Sequence, residues 1–205
     1  VYVTLGITIS ATGGGDVSLT GDNAAIPATD VGSIYIFGSD ILASTGKITL
    51  NGGSDGVVTS RSGDTTNIGA LAGGTSTGNV TITGDRISGA GTNNIKTTGN
   101  VVLESSSTAF ASATSLGAFN LSGPAANLRV GKTTNDKDVS LGSGATSVTG
   151  AVEVYGANLT LNGTVTTTAT GGTGLLFKAK GDIVTGSGTS AARVGFKVTG
   201  ANSTA

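Results

Sequence analysis

Several stretches of this chain hold residue types in spacings that could do chemistry. "GKTT" (131–134) offers the lysine and hydroxyls of a phosphate loop. Such a loop needs a glycine five residues before its Gly-Lys pair, and a helix after it to aim backbone N–H groups at the phosphate. That place is Ala126 and no helical pattern follows, so the stretch reads as a turn between strands. "GSGTSA" (186–191) has the form G-x-G-x-x-A, but "ARVGFKVTG" alternates after it where a dinucleotide fold begins a helix. It also reads as a turn. Asp16, Asp22, Asp55, Asp85 and Asp182 sit in glycine-flanked turns and offer the carboxylates that calcium takes. The calcium-binding nonapeptide G-G-x-G-x-D-x-U-x is nowhere intact, and "GGSDG" (52–56) is only a fragment of it. Aspartate beside glycine is an ordinary turn residue, so no metal is assigned.

Acid–base catalysis needs convergent groups with tuned pKa values. The chain has no His, and its glutamates, Glu104 and Glu153, lie far apart in sequence. Its densest charge cluster, Arg129, Lys132, Asp136, Lys137 and Asp138, alternates in sign and reads as a solvated edge at a turn. No catalytic residue, cofactor-binding residue, metal ligand or cofactor is assigned, and the chain reads as no enzyme. A net charge of −1 leaves no basic footprint for nucleic acid. No run of 18 apolar residues predicts a membrane-spanning helix. "TIT" (81–83) and "TVT" (164–166) are isolated, short of the flat Thr array of an ice-binding face. Asn79, Asn120, Asn158, Asn162 and Asn202 open N-x-[ST] triplets, which arise by chance in so Asn- and Thr-rich a chain and do not establish glycosylation.

The elements that must position these residues are strands. Among 205 residues are 36 Gly but only 11% charged residues, no Cys and no Trp. Alternating apolar and polar runs of four to eight residues recur from "VYVTLGITIS" (1–10) to "VGFKVTG" (194–200), each bounded by Gly, Asn or Asp. No segment has helical apolar spacing. "GNV" opens a strand at 78 and again at 99, a distance typical of stacked repeats. Val154 and Phe177 repeat a strand position in the same way. Small, interchangeable inward residues suit rungs that stack like on like. The expected fold is therefore all-β: one parallel β-helix, or β-solenoid, over residues 1–205, with irregular excursions at 54–78 and 104–119.

Three stretches in order sharpen this. "LRVGKTTN" (128–135), "VEVYGANLTLN" (152–162) and "TGLLFKAKGDI" (173–183) match, at ordinary spacing, a recurrent unit of giant secreted bacterial adhesins of the filamentous-haemagglutinin type. The segment 127–186 resembles that unit closely and the remainder resembles it in texture. The resemblance implies a right-handed parallel β-helix, exported and displayed at the cell surface as a long adhesive fibre. It identifies no receptor.

These observations set the expectations. Val80 should lie near Val101 and Ile82 near Leu103, or one residue off, in parallel pairing, within eight to ten rungs and a rod of roughly 40–50 Å. Val152, Val154, Leu159, Leu161, Val165, Leu176, Ile183 and Val184 are candidate core residues, with strict alternation deciding between immediate neighbours. The chain reads as an excerpt of a longer repetitive protein, partnered by further rungs, with a host or neighbouring cell surface as a further partner. The alternative is an extracellular filament subunit that joins identical subunits end to end by complementing terminal strands.

Overall fold

The structure, a computed structural model, describes residues 1–21, 33–59, 62–70, 74–117, 119–121, 124–142, 146–170 and 172–185, and places strands at 196–198 and 203–204. The described strands fall into eight successive turns, most of them contributing three short strands. The first turn holds β1 (Tyr2–Val3), β2 (Thr8–Ala11) and β3 (Val17–Thr20), and the second β4 (Ile34–Ile36), β5 (Asp40–Ala43) and β6 (Ile48–Asn51). The third holds β7 (Val57–Thr59), β8 (Thr65–Gly69) and β9 (Val80–Thr83), and the fourth β10 (Ile87–Gly89), β11 (Thr92–Ile95) and β12 (Val101–Glu104). Then follow β13 (Thr114–Leu116), β14 (Phe119–Leu121) and β15 (Leu128–Val130), and after them β16 (Val139–Leu141), β17 (Thr146–Val148) and β18 (Val152–Gly156). The seventh turn holds β19 (Leu159–Leu161), β20 (Val165–Thr167), β21 (Gly172–Thr173) and β22 (Leu175–Ala179). The last holds β23 (Ile183–Thr185), β24 (Phe196–Val198) and β25 (Ser203–Thr204).

Every pairing between these strands is parallel. The molecule is a parallel β-solenoid. Its third face is one seven-stranded sheet, β3-β6-β9-β12-β15-β18-β22. The first face is β1-β4-β7-β10 and then, after a break in the ladder, β13-β16-β19-β23. The second face runs from β2 to β14 and resumes at β17, with a single bridge, Ala125 to Val148, near the step. At about 4.8 Å per strand the stack is about 30–35 Å long, shorter than the sequence suggested.

Register follows from the inward columns. On the third face Val17, Ile48, Val80, Val101, Leu128, Val152 and Leu175 lie one above the other, all buried. Two residues on, Leu19, Leu50, Ile82, Leu103, Val130, Val154 and Phe177 do the same. The expected pairs Val80–Val101 and Ile82–Leu103 are both present, as is Val154–Phe177. On the second face Ile9, Ile41, Ile68, Ile95 and Leu121 form another column. A one-residue slip would turn such a column out to water, so the aliphatic stacks pin the pairing.

Five of the eight candidate core residues, Val152, Val154, Leu159, Leu161 and Val165, are buried. Three are not. Leu176 faces out because its neighbour Leu175 takes the inward place opposite Val152. Ile183 continues the inward column of Val139 and Leu159 but is 47% exposed, since no described strand stacks beyond β23. Val184 alternates outward beside it, 45% exposed. The presumed excursions are also largely regular. Residues 54–78 contain β7 and β8 in full register with their neighbours, and 104–119 contains β13 and a corner that buries Phe110.

A pair of substitutions tests this inside–outside assignment by urea unfolding. Leu161→Asp places an unpaired charge at a fully buried position and should cost about 3–5 kcal/mol or prevent folding. Leu176→Asp, on the outward face, should stay within about 0.5 kcal/mol of the parent.

Candidate functional site

The corner before the third face explains the repeated "GNV". Its glycines stack so closely that a Cβ on Gly78 would meet the Gly46 carbonyl oxygen at 1.7 Å, and one on Gly99 would meet that of Gly78 at 2.5 Å. Neither has a positive φ. Close backbone approach, not a left-handed turn, is what requires glycine at these two positions. The following asparagine forms a ladder: Asn100 N–H donates to Asn79 Oδ1 at 2.9 Å, Asn127 Nδ2 to Asn100 Oδ1 at 2.7 Å, and Ala151 N–H to Asn127 Oδ1 at 2.7 Å. The Lys47 N–H, 31 residues on from Asp16, donates to its Oδ1 in the same way. Valine then enters the core.

Two further ladders went unread in the sequence. Asn158 donates through N–H and Nδ2 to Asp138 Oδ1, at 3.0 and 2.9 Å, and accepts from the Asp182 N–H at 2.8 Å. On the second face Asn67 donates to Asp40 at 2.7 Å and Asn94 donates to Asn67 at 3.0 Å. The available signal was Asn or Asp recurring at one rung distance before or within alternating strands.

"GKTT" is a corner tied to its neighbours. Gly131 has φ +76°, and a Cβ there would meet the Tyr155 carbonyl oxygen at 2.7 Å. Lys132 Nζ donates to the Ser107 carbonyl at 2.8 Å, and Thr134 Oγ1 donates to the Thr108 carbonyl. Beneath it Asn135, 1% exposed, accepts from the Phe110 N–H at 3.2 Å and donates to the carbonyls of Tyr155 and Lys137 at 3.0 and 3.1 Å. "GSGTSA" lies outside the described residues.

The turn aspartates are dispersed. Asp16 belongs to a ladder, Asp55 accepts from Ser33 Oγ at 3.1 Å, and Asp22 lies outside the described residues. Asp182 meets Asn158 through its N–H. Asp85 accepts from Ser106 Oγ at 2.7 Å and from both the N–H and Oγ of Ser107 at 2.8 Å. Among the described residues no three acidic, His or Cys side chains gather as a metal site would require. Of the N-x-[ST] asparagines, Asn158 and Asn162 spend their amide nitrogens on Asp138 and on Ser140 Oγ. Asn79 and Asn120 are exposed, and Asn202 lies outside the described residues. "TIT" is less isolated than its sequence suggests, since Ser18, Thr49 and Thr81 align in one outward column. Val102 then ends the hydroxyl run.

The expected charge cluster dissolves. Arg129 lies on strand β15, away from the corner, while Lys132 binds carbonyls and Asp138 joins a ladder. Lys137 bonds Asp136 at 3.2 Å, and that bond and charge hold the Asp136 carboxyl below its ordinary value. What the fold assembles instead is a group on the outer side of the third face. Arg129 bonds Glu104 of β12 at 2.7 Å and lies in register beside Glu153 of β18. Glu153 accepts from the Tyr155 hydroxyl at 3.2 Å; burial, then the Glu153 charge, raise that hydroxyl above its ordinary value. The two glutamates, remote in sequence, thus flank one arginine. Beside them an open groove of about 280 Å³ is lined by Asn100, Val102, Asn127, Arg129, Ala151 and Glu153.

No family model, curated protein or solved structure matches the chain.

Asp85 gives a pH prediction. Partial burial raises its pKa, but the Ser107 N–H and the hydroxyls of Ser106 and Ser107 outweigh this, and the net shift is downward from 3.8. A carboxyl depressed by folding contributes stability that is present above its unfolded value and lost as pH falls through its folded value. The urea midpoint should therefore decline below about pH 4. Asp85→Asn should make that decline shallower, with part of the loss already present at pH 7.

Proposed function

We propose that the chain is a non-catalytic section of an extracellular, surface-displayed adhesive rod. The observation that carries this reading is the seven-strand parallel ladder of the third face, with aliphatic columns running its whole length. Each turn is braced only by its neighbours, which suits a structure extended by adding turns rather than one built around a central pocket. The likeness of residues 127–186 to the filamentous-haemagglutinin type of adhesin supports the same role. In this reading the rod carries attachment surfaces outward, and its partners are further rungs and the surface it touches.

The second reading is a subunit that polymerises end to end. Each sheet among the described residues ends in edge strands, and an edge strand is a template for another strand.

An antibody against this segment separates the readings. On intact source cells it should label the surface, and on a denaturing gel of the surface fraction it should mark a polypeptide far larger than 19.6 kDa. A surface band near 19.6 kDa that sediments as long filaments under native conditions favours the subunit. Confinement of the antigen to the cell interior contradicts both.

A further inference from the structure

We infer that the rod bends at its fifth turn, hinging on the third face and opening on the other two. The inference goes beyond the attachment reading and holds equally for a stalk or a subunit. Turn five comprises β13, β14 and β15. On the first face no ladder joins β13 to β10 of the turn before, although β13 is fully paired with β16 of the turn after. On the second face β14 is paired with β11 of the turn before. Among the described residues no ladder carries it on to β17, and a single bridge, Ala125 to Val148, crosses near that step. The third face alone is laddered in both directions, with Leu128 against Val101 on one side and Val152 on the other.

The packing around the two breaks fits a hinge. An open groove of about 380 Å³ lies between β10 and β13, lined by Arg86, Ser88, Gly89, Ser112 and Ser115 among others. In the interior at the same level, a cavity of about 20 Å³ lies against Ile95, Leu116, Phe119, Leu121 and Leu141. A close-packed interior resists deformation, whereas side chains that border a gap have fewer contacts to lose when they shift. The third face has the opposite character. Its inward column runs unbroken through this level, from Leu103 through Val130 to Val154. The corner that leads from it into the first face is cross-tied as well. Asp85 accepts from Ser106 and Ser107, and Asn135 accepts from the Phe110 N–H. With the third face as the fixed leaf, the first face opens before turn five and the second opens after it. Neither movement breaks a strand ladder. Local opening is drawn from regions with few backbone bonds and sparse packing, and turn five brings both together.

Double electron–electron resonance between nitroxide labels tests this in the 205-residue chain, which has no native cysteine to compete for the label. Val58→Cys with Thr160→Cys places labels at outward positions of β7 and β19 on the first face. Thr81→Cys with Leu176→Cys places them at outward positions of β9 and β22 on the third. Both pairs run from turn three to turn seven, four strand spacings or about 19 Å. The first-face distance distribution should be at least about twice as broad as the third-face one, as rotation about a fixed leaf requires. Leu116→Ala, which enlarges the cavity, should broaden the first-face distribution further and leave the third-face one unchanged. Equal widths on the two faces, or a broader third face, would overturn the hinge. Broadening by Leu116→Ala that falls equally on both faces would overturn it too. If Leu116→Ala does not fold, the comparison of the two faces in the otherwise unaltered chain decides alone.

Discussion

Parallel strands in register at about 4.8 Å place each residue directly above its counterpart one turn earlier. The rest of the structure depends on that constraint. An aliphatic residue over an aliphatic residue buries both, as in the column from Val17 to Leu175. An amide over an amide can pass a hydrogen bond along the stack, as from Asn79 through Asn100 to Asn127. At the corner the same spacing forces backbones so close that a side chain has no room, and Gly46, Gly78 and Gly99 recur there. The tripeptide Gly-Asn-Val, at 78–80 and again at 99–101, writes these three demands together: close approach, a bond to the next turn, and a core side chain.

Turn length is far less constrained than register. The Asp16–Lys47 ladder bond spans 31 residues and the Asn79–Asn100 bond spans 21, yet both occupy the same corner. Extra chain is accommodated at corners at modest entropic cost, because loop closure grows only slowly with length. A corner can also be anchored. Asn135 holds the Phe110 turn from the turn above, and Asp85 grips Ser106 and Ser107 from the turn below.

This explains what the sequence made legible. Where turns have similar length, as from residue 79 to residue 104 and from 152 to 177, alternation and the repeated corner gave both fold and register. Where lengths vary, regular strands passed for excursions: β7 has only three residues, and β8, though five residues long, is too mixed in Thr and Asn to declare itself alone. Local alternation could not decide between Leu175 and Leu176, since both are apolar and only the neighbouring strand says which faces in. Glu104, Arg129 and Glu153 stayed hidden for a related reason. Their proximity is a property of the stacking, and sequence distance measures only the path around the rod.

The division of labour that results is simple. Inward columns are bound by packing and corners by backbone approach, so variation is left to the outward columns, where hydroxyls on the first three turns of the third face give way to Glu104, Arg129 and Glu153. The central claim is parallel, in-register stacking, and the absence of native cysteine allows a direct test by disulfide trapping. Thr81 and Val102 are outward residues in register on β9 and β12, at a spacing suited to a disulfide. The Thr81→Cys, Val102→Cys double variant should cross-link rapidly and completely under mild oxidation. The offset pair, Thr81→Cys with Glu104→Cys, should remain largely reduced. Equal cross-linking of the two pairs, or faster closure of the offset pair, would contradict the stacked register.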